Sequence, residues 1–221
     1  MDVKMELEDV SRREVLRYMG CKGEGPPEVL KLAEEALSLL WKTCEPRHEV
    51  REFSLVLGSE GEIETECFQT VSRNLSKNLA GCKGILLFAA TLGIGPDHLI
   101  RRGALLDMSR ALAFQAGAAA ILEEYCNQVC GQLKEQYRKQ GLYLRPRFSP
   151  GYGDFPLSCQ PQILHGLEAG KRLGIKLTEG FLMMPSKSVT AVMGLSEIPG
   201  VCAPEGCEAC GKKDCPYRRD G

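Results

Sequence analysis

The chain has 221 residues, with 28 Lys plus Arg against 29 Asp plus Glu, for a formal net charge of −1. Its 43% hydrophobic and 26% charged content is ordinary for a soluble globular protein, and a chain of this length buries about 70% of its unfolded surface without disulfide staples. The balance excludes the basic excess that marks a nucleic-acid binder, and the short basic pairs Arg101-Arg102, Lys212-Lys213 and Arg218-Arg219 read as solvated surface.

The opening Met1-Asp2-Val3-Lys4-Met5-Glu6 is polar, with none of the apolar core of a secretory signal. The most apolar run, 85–90, is far too short to span a bilayer. The expectation is a cytoplasmic protein without a membrane partner. Helical spacing at Val10, Val15 and Leu16 predicts a helix over 9–18, broken by the glycines of 20–25. Pro26-Pro27 opens a second helix, carried by Val29, Ala33, Ala36, Leu37, Leu40 and Cys44 and stopped by Pro46. A strand is expected over 50–57, paired in a hairpin with 63–68, then a helix near 71–79 and a buried strand over 85–90, ended by Gly93 and Gly95-Pro96. One long helix is expected over 104–139, with Leu105, Met108, Leu112, Leu122, Cys126, Val129, Leu133 and Tyr137 as its apolar stripe. An irregular Pro- and Gly-bearing segment, 143–156, follows; such a segment inside a compact domain is usually functional. The chain then reads as a helix over 160–173 and strands over 177–184 and 188–195.

Hairpins alternating with separate helices argue for an α+β fold with a largely antiparallel sheet. Neither G-x-x-x-x-G-K nor G-x-G-x-x-G occurs, so a parallel nucleotide-binding fold has no support. The eleven cysteines fall into seven scattered residues, read as buried thiols, and a terminal cluster. Cys202, Cys207, Cys210 and Cys215 form C-x4-C-x2-C-x4-C, a spacing suited to tetrahedral zinc or to an iron–sulfur cluster. Residues 1–198 are thus read as one domain and 199–221 as a cysteine-rich, metal-binding tail. His48, His98 and His165 stand alone and read as surface or satisfied residues.

Two motifs stand out in the second half. Arg147-Phe148-Ser149-Pro150-Gly151-Tyr152 fits R-x-x-x-G-Y, and Lys171-Arg172-Leu173-Gly174-Ile175-Lys176-Leu177-Thr178-Glu179-Gly180-Phe181-Leu182-Met183-Met184-Pro185 is followed by Ser188-Val189. Over roughly 104–195 the chain resembles the carboxy-terminal activation (reactivation) domain of cobalamin-dependent methionine synthases. Its first hundred residues are more similar to the short, stand-alone forms of that domain. The resemblance implies a bent antiparallel sheet with surrounding helices. It also implies an S-adenosylmethionine site, used to remethylate the cobalamin of a partner methionine synthase chain after oxidation, with one electron from a donor.

The resemblance places ligand contacts at Arg147, Gly151, Tyr152, Glu124 and Ser188. Arg147 suits a bidentate grip on the ligand's carboxylate. Gly151 admits close backbone approach, and Tyr152 can stack or hydrogen-bond. Glu124, about 200° around the helix from Leu122, lies off the apolar stripe and faces solvent or a pocket. Ser188 matches a polar turn of the family; the Val192-Met193-Gly194 that follows replaces the family's aromatics. No match to the family's acidic residue near the domain start is evident. Methyl transfer from a sulfonium to reduced cobalt needs positioning and exclusion of water rather than a general base, and no Ser-His-Asp or Cys-His arrangement is found. Two other functions fit the same residues: an iron–sulfur electron-transfer activator of a corrinoid protein, and a non-catalytic S-adenosylmethionine-binding module with structural zinc.

Overall fold

The computed structural model describes residues 3–21, 23 and 25–199. In chain order these form α1 (Arg12–Tyr18), α2 (Pro27–Trp41), β1 (Arg47–Ser54), β2 (Val56–Leu57), β3 (Glu62–Glu64), β4 (Gln69–Val71), α3 (Arg73–Asn78), β5 (Gly84–Thr91), α4 (Gly95–Leu106), α5 (Met108–Arg138), β6 (Tyr143–Leu144), α6 (Gln160–Gly166), α7 (Ala169–Arg172), β7 (Lys176–Leu177), β8 (Met183–Met184) and β9 (Ser188–Ser196). They divide into a helical unit, residues up to 44 with 95–128, and a sheet unit, residues 45–94 with 129–199. Among the described residues no helix is long and apolar enough to cross a membrane.

In the helical unit, Ser11 caps α1 by accepting the Glu14 N–H at 3.3 Å. Helix α2 opens on its proline pair and buries Ala33, Ala36, Leu37 and Leu40, one stripe at helical spacing. Helix α5 lies close against it because residue 117 is glycine: a Cβ there would fall 2.8 Å from Leu40 Cδ1. Small residues continue along α5, with Ala111, Ala113, Ala116, Ala118 and Ala120 all buried.

The single helix expected over 104–139 is two helices. Pro96 sits in the first turn of α4, where its missing N–H costs nothing. Asp107 separates α4 from α5 and accepts the Ser109 N–H at 2.9 Å. Leu105, Met108 and Leu112, expected in the buried stripe, are exposed at 83%, 71% and 46%. Within α5, Phe114, Ile121 and Tyr125 are buried with the alanines.

The sheet unit is built on an antiparallel sheet of order β1-β5-β9-β6. All eight residues of β5 are buried, as its unbroken apolar run demands of a central strand. Its partner β1 pairs Arg47 with Thr91 through to Ser54 with Gly84. The expected hairpin of 50–57 with 63–68 is therefore split. Only β2 pairs with β3, inside a separate three-stranded sheet β2-β3-β4. One face of the main sheet carries Ile85, Leu87, Ala89 and Val192 into a core with Leu75, Phe68, Phe148, Phe155, Ile163 and Leu167. On the other face the end of α5 approaches β9, with Cys130 Sγ 3.8 Å from Met193 Sδ.

Candidate functional site

The R-x-x-x-G-Y loop grows out of the sheet. Phe148 exchanges both backbone hydrogen bonds with Val192, at 2.9 and 2.8 Å, while the Arg145 N–H donates to the Gly194 carbonyl at 2.8 Å. Pro146 and Arg147 therefore stand together opposite the single Met193, a β-bulge. Proline, which has no N–H to donate, is tolerated there. A bulge turns its side chains off the regular alternation, and Arg147 sits half-buried at this point.

Beyond Phe148 the chain closes a tight loop. The Tyr152 N–H donates to Ser149, the Phe155 N–H to Tyr152, and the Gly151 N–H to Phe155 at 2.8 Å. Gly151 takes φ +88°, a conformation open to glycine at no steric cost. Phe155 is buried against Phe68 and Phe148, with ring centroids 5.9 and 6.3 Å apart. Tyr152 stays 64% exposed, its ring edge-on to Phe148 at 5.3 Å.

Asp154, which the sequence reading passed over, holds the loop to α3. It accepts from Ser72 Oγ at 2.5 Å, from the Arg73 N–H at 2.8 Å and from the Asn74 N–H at 3.1 Å. Ser72 in turn caps α3 by accepting the Leu75 N–H at 3.1 Å. The Ser72 hydroxyl, then the backbone donors, hold the Asp154 carboxyl below the ordinary aspartate value. An aspartate that fixes a loop to a helix start 82 residues away leaves only a weak local signal, the Gly-Asp pair of a turn.

Ser188 opens β9 and is nearly buried. Its Oγ lies 2.7 Å from the Pro185 carbonyl and 2.9 Å from Thr91 Oγ1. The carbonyl can only accept, so the Ser188 proton goes to it and Thr91 donates to Ser188. Thr91 Oγ1 also accepts the Gly93 N–H at 3.1 Å. Ser188 thus ties the turn before β9 to the end of β5.

Glu124 belongs to the helical unit and is half-buried on α5. Its carboxylate accepts from Gln128 Nε2 at 3.1 Å, and the same amide donates to Asp9 at 3.0 Å. One glutamine therefore joins two carboxylates, the second of them near the start of the chain. The Asp9 carboxyl is held below its ordinary value by the Glu6 N–H and by Gln128.

The longer motif is mostly framework. Leu167, Leu173 and Ile175 enter the core. Glu168 adopts φ +51°, breaking the expected helix over 160–173 into α6 and α7. Its carboxylate pairs with Arg51 of β1 and with Arg172 at 3.1 Å, and these two arginines hold it below the usual glutamate range. Arg51 also donates to the Gly166 carbonyl at 3.2 Å. The residues from Lys176 onward form the β7–β8 hairpin.

Two open depressions mark the sheet unit. One, of about 730 Å³, lies over Arg51, Leu164, His165, Glu168, Lys171 and Leu177; the other, of about 540 Å³, lies over Glu52, Glu66, Lys83 and Glu197. Neither is lined by the five residues the sequence singled out. Among the described residues no group of three or more His, Cys, Asp or Glu is placed to hold a metal ion. Cys202, Cys207, Cys210 and Cys215 lie outside the described residues.

No family model and no curated protein matches the sequence. Among solved structures the chain is similar to the MetH reactivation domain crystallised bound to AdoHcy. The TM-score is 0.62 with 22% sequence identity, over 87% of this chain and 77% of that one. At that identity the two share a fold: mixed α+β, with a mostly antiparallel sheet and surrounding helices. The fold expected from the sequence is the fold observed.

Proposed function

We propose that this chain binds S-adenosylmethionine and presents it to a cobalamin-carrying methionine synthase chain for reductive remethylation of the cofactor. One observation carries the reading. The R-x-x-x-G-Y loop leaves the sheet through a bulge and turns at a glycine with φ +88°, on the fold of a domain crystallised with AdoHcy. AdoHcy is what S-adenosylmethionine becomes once its methyl group has left.

The residues fit such a ligand. Arg147 supplies a forked donor for the carboxylate. Gly151 has no side chain to hold the ligand away, and the space beside it is open: an added Cβ would meet only Leu157 Cδ1, at 3.5 Å. The exposed Tyr152 ring is free to pack on an apolar or π surface. Ser188 supports the neighbouring turn, its hydroxyl retaining one lone pair for a ligand donor; the assignment of Glu124 to the ligand rests on the family resemblance alone.

The chemistry follows from charge. The sulfonium methyl would pass to reduced cobalt held by the partner, leaving a neutral thioether, with one electron supplied by a separate donor. The chain's own part is to bind, orient and keep water away. The terminal cysteines would hold zinc, ordering the tail, or an iron–sulfur cluster able to pass the electron; iron and sulfide analysis of anaerobically purified protein separates the two.

The test is a reactivation assay. A methionine synthase chain with oxidised cobalamin is incubated with reductant, S-adenosylmethionine and this protein, and formation of the methylated cofactor is followed by absorbance. Recovery that requires both the protein and S-adenosylmethionine supports the reading. Saturable ligand binding with no recovery favours a sensing module instead.

A further inference from the structure

The loop that carries Gly151 and Tyr152 has two kinds of anchor. At its ends, Phe148 and Phe155 are fixed by the sheet and the core. Between them Tyr152 has little to hold it: its side chain is 64% exposed and touches the edge of Phe148. Pro150 is buried and Gly153 packs closely on Asn74; the hydrogen-bonded restraint is Asp154, whose two oxygens take three donors from the first turn of α3. The local turn bonds close the loop on itself, and Asp154 bonds it to a different element.

We propose that Asp154 is a positioning residue for ligand binding: it fixes Gly151 and Tyr152 in the conformation that receives S-adenosylmethionine by docking their loop on the N-terminal turn of α3. This deepens the proposed function and rests on it. A preorganised loop meets its ligand without an ordering cost, and freeing it lowers affinity while every contact residue is still present.

The geometry offers a variant that loosens the dock without weakening the helix. Arg73 is the first residue of α3, and the Ser72 before it has φ −154° and ψ 113°. Proline is favoured at a first helical position and requires an extended residue before it. Arg73→Pro therefore preserves α3, yet removes the N–H that Asp154 accepts and sets a ring carbon in its place.

The experiment is calorimetric titration of S-adenosylmethionine into the full chain and its Asp154→Ala, Arg73→Pro, Tyr152→Ala and Asp154→Ala/Tyr152→Ala forms, with melting temperatures alongside. Asp154→Ala is expected to weaken binding about fivefold to tenfold, and Arg73→Pro about threefold or more with the melting temperature unchanged. Because Asp154 acts through Tyr152 and its loop, the double variant is expected to bind no more than about twofold worse than the weaker single variant. Binding by the parent chain with Asp154→Ala and Arg73→Pro unaltered, or losses that multiply in the double variant, would overturn the proposal while leaving the ligand reading intact. No binding by the parent chain would bring down both.

Discussion

The two units reach close packing by opposite means. The helical unit packs on small residues: Gly117 against Leu40, with five buried alanines along α5. The sheet unit fills its interior with large ones, with Phe68, Phe148 and Phe155 against Leu75, Leu87 and Ile163. In the first, the backbones are near one another and there is no room to grow; in the second, side chains span the gap and leave a void when cut. The R-x-x-x-G-Y loop belongs to the second kind, its ends nailed down by two core phenylalanines.

The comparison predicts opposite sensitivities. The largest effect is expected from truncation in the sheet unit: Phe155→Ala should cost about 3–5 kcal/mol in denaturant unfolding, through lost burial and a cavity beside Phe68 and Phe148. In the helical unit enlargement is the damaging change. Gly117→Val should cost about 1–3 kcal/mol, because its first carbon already meets Leu40. Truncation there is mild: Ala118→Gly should cost about 1 kcal/mol, mainly in helix propensity. A mild Phe155→Ala, or an Ala118→Gly as costly as it, would break the contrast.

The smallest effect is electrostatic and depends on pH. Arg51 and Arg172 hold the Glu168 carboxyl below its ordinary value, so the folded state binds that proton less readily than the unfolded chain. Its stabilisation is complete above the unfolded glutamate value of about 4.3 and fades as pH falls through the lower folded value. Glu168→Gln should therefore melt slightly below the parent at pH 7, and the gap should close as the pH is lowered past about 4.

Much of the architecture is written in local pattern. The unbroken run 85–90 marks the central strand, and Pro26-Pro27 with its periodic leucines marks α2. What escaped local reading depends on distant partners. Glu168 breaks a helix although glutamate is a good helix former, because Arg51, 117 residues away, holds its carboxylate. The 50–57 segment divides between two sheets because β1 finds β5 rather than its neighbour in sequence. Asp107 looked like one polar position in a long amphipathic helix, and instead ends α4 and caps α5.

The same divide runs through the candidate site. Arg147, Gly151 and Tyr152 were singled out through the family resemblance, on a motif legible in the sequence. The bulge at Arg147 needs β9 beside it, and the bonds of Asp154 and of Gln128 between Asp9 and Glu124 exist only after folding.

In the proposed function the bulged, docked loop takes S-adenosylmethionine through Arg147. This is tested most directly by calorimetric titration of S-adenosylmethionine into the anaerobically purified chain and its Arg147→Ala form. Saturable binding by the parent and a loss of tenfold or more in the variant, roughly 1.4 kcal/mol, are expected, with the melting temperature unchanged. Equal affinity in the two proteins, or no binding by the parent, would contradict it.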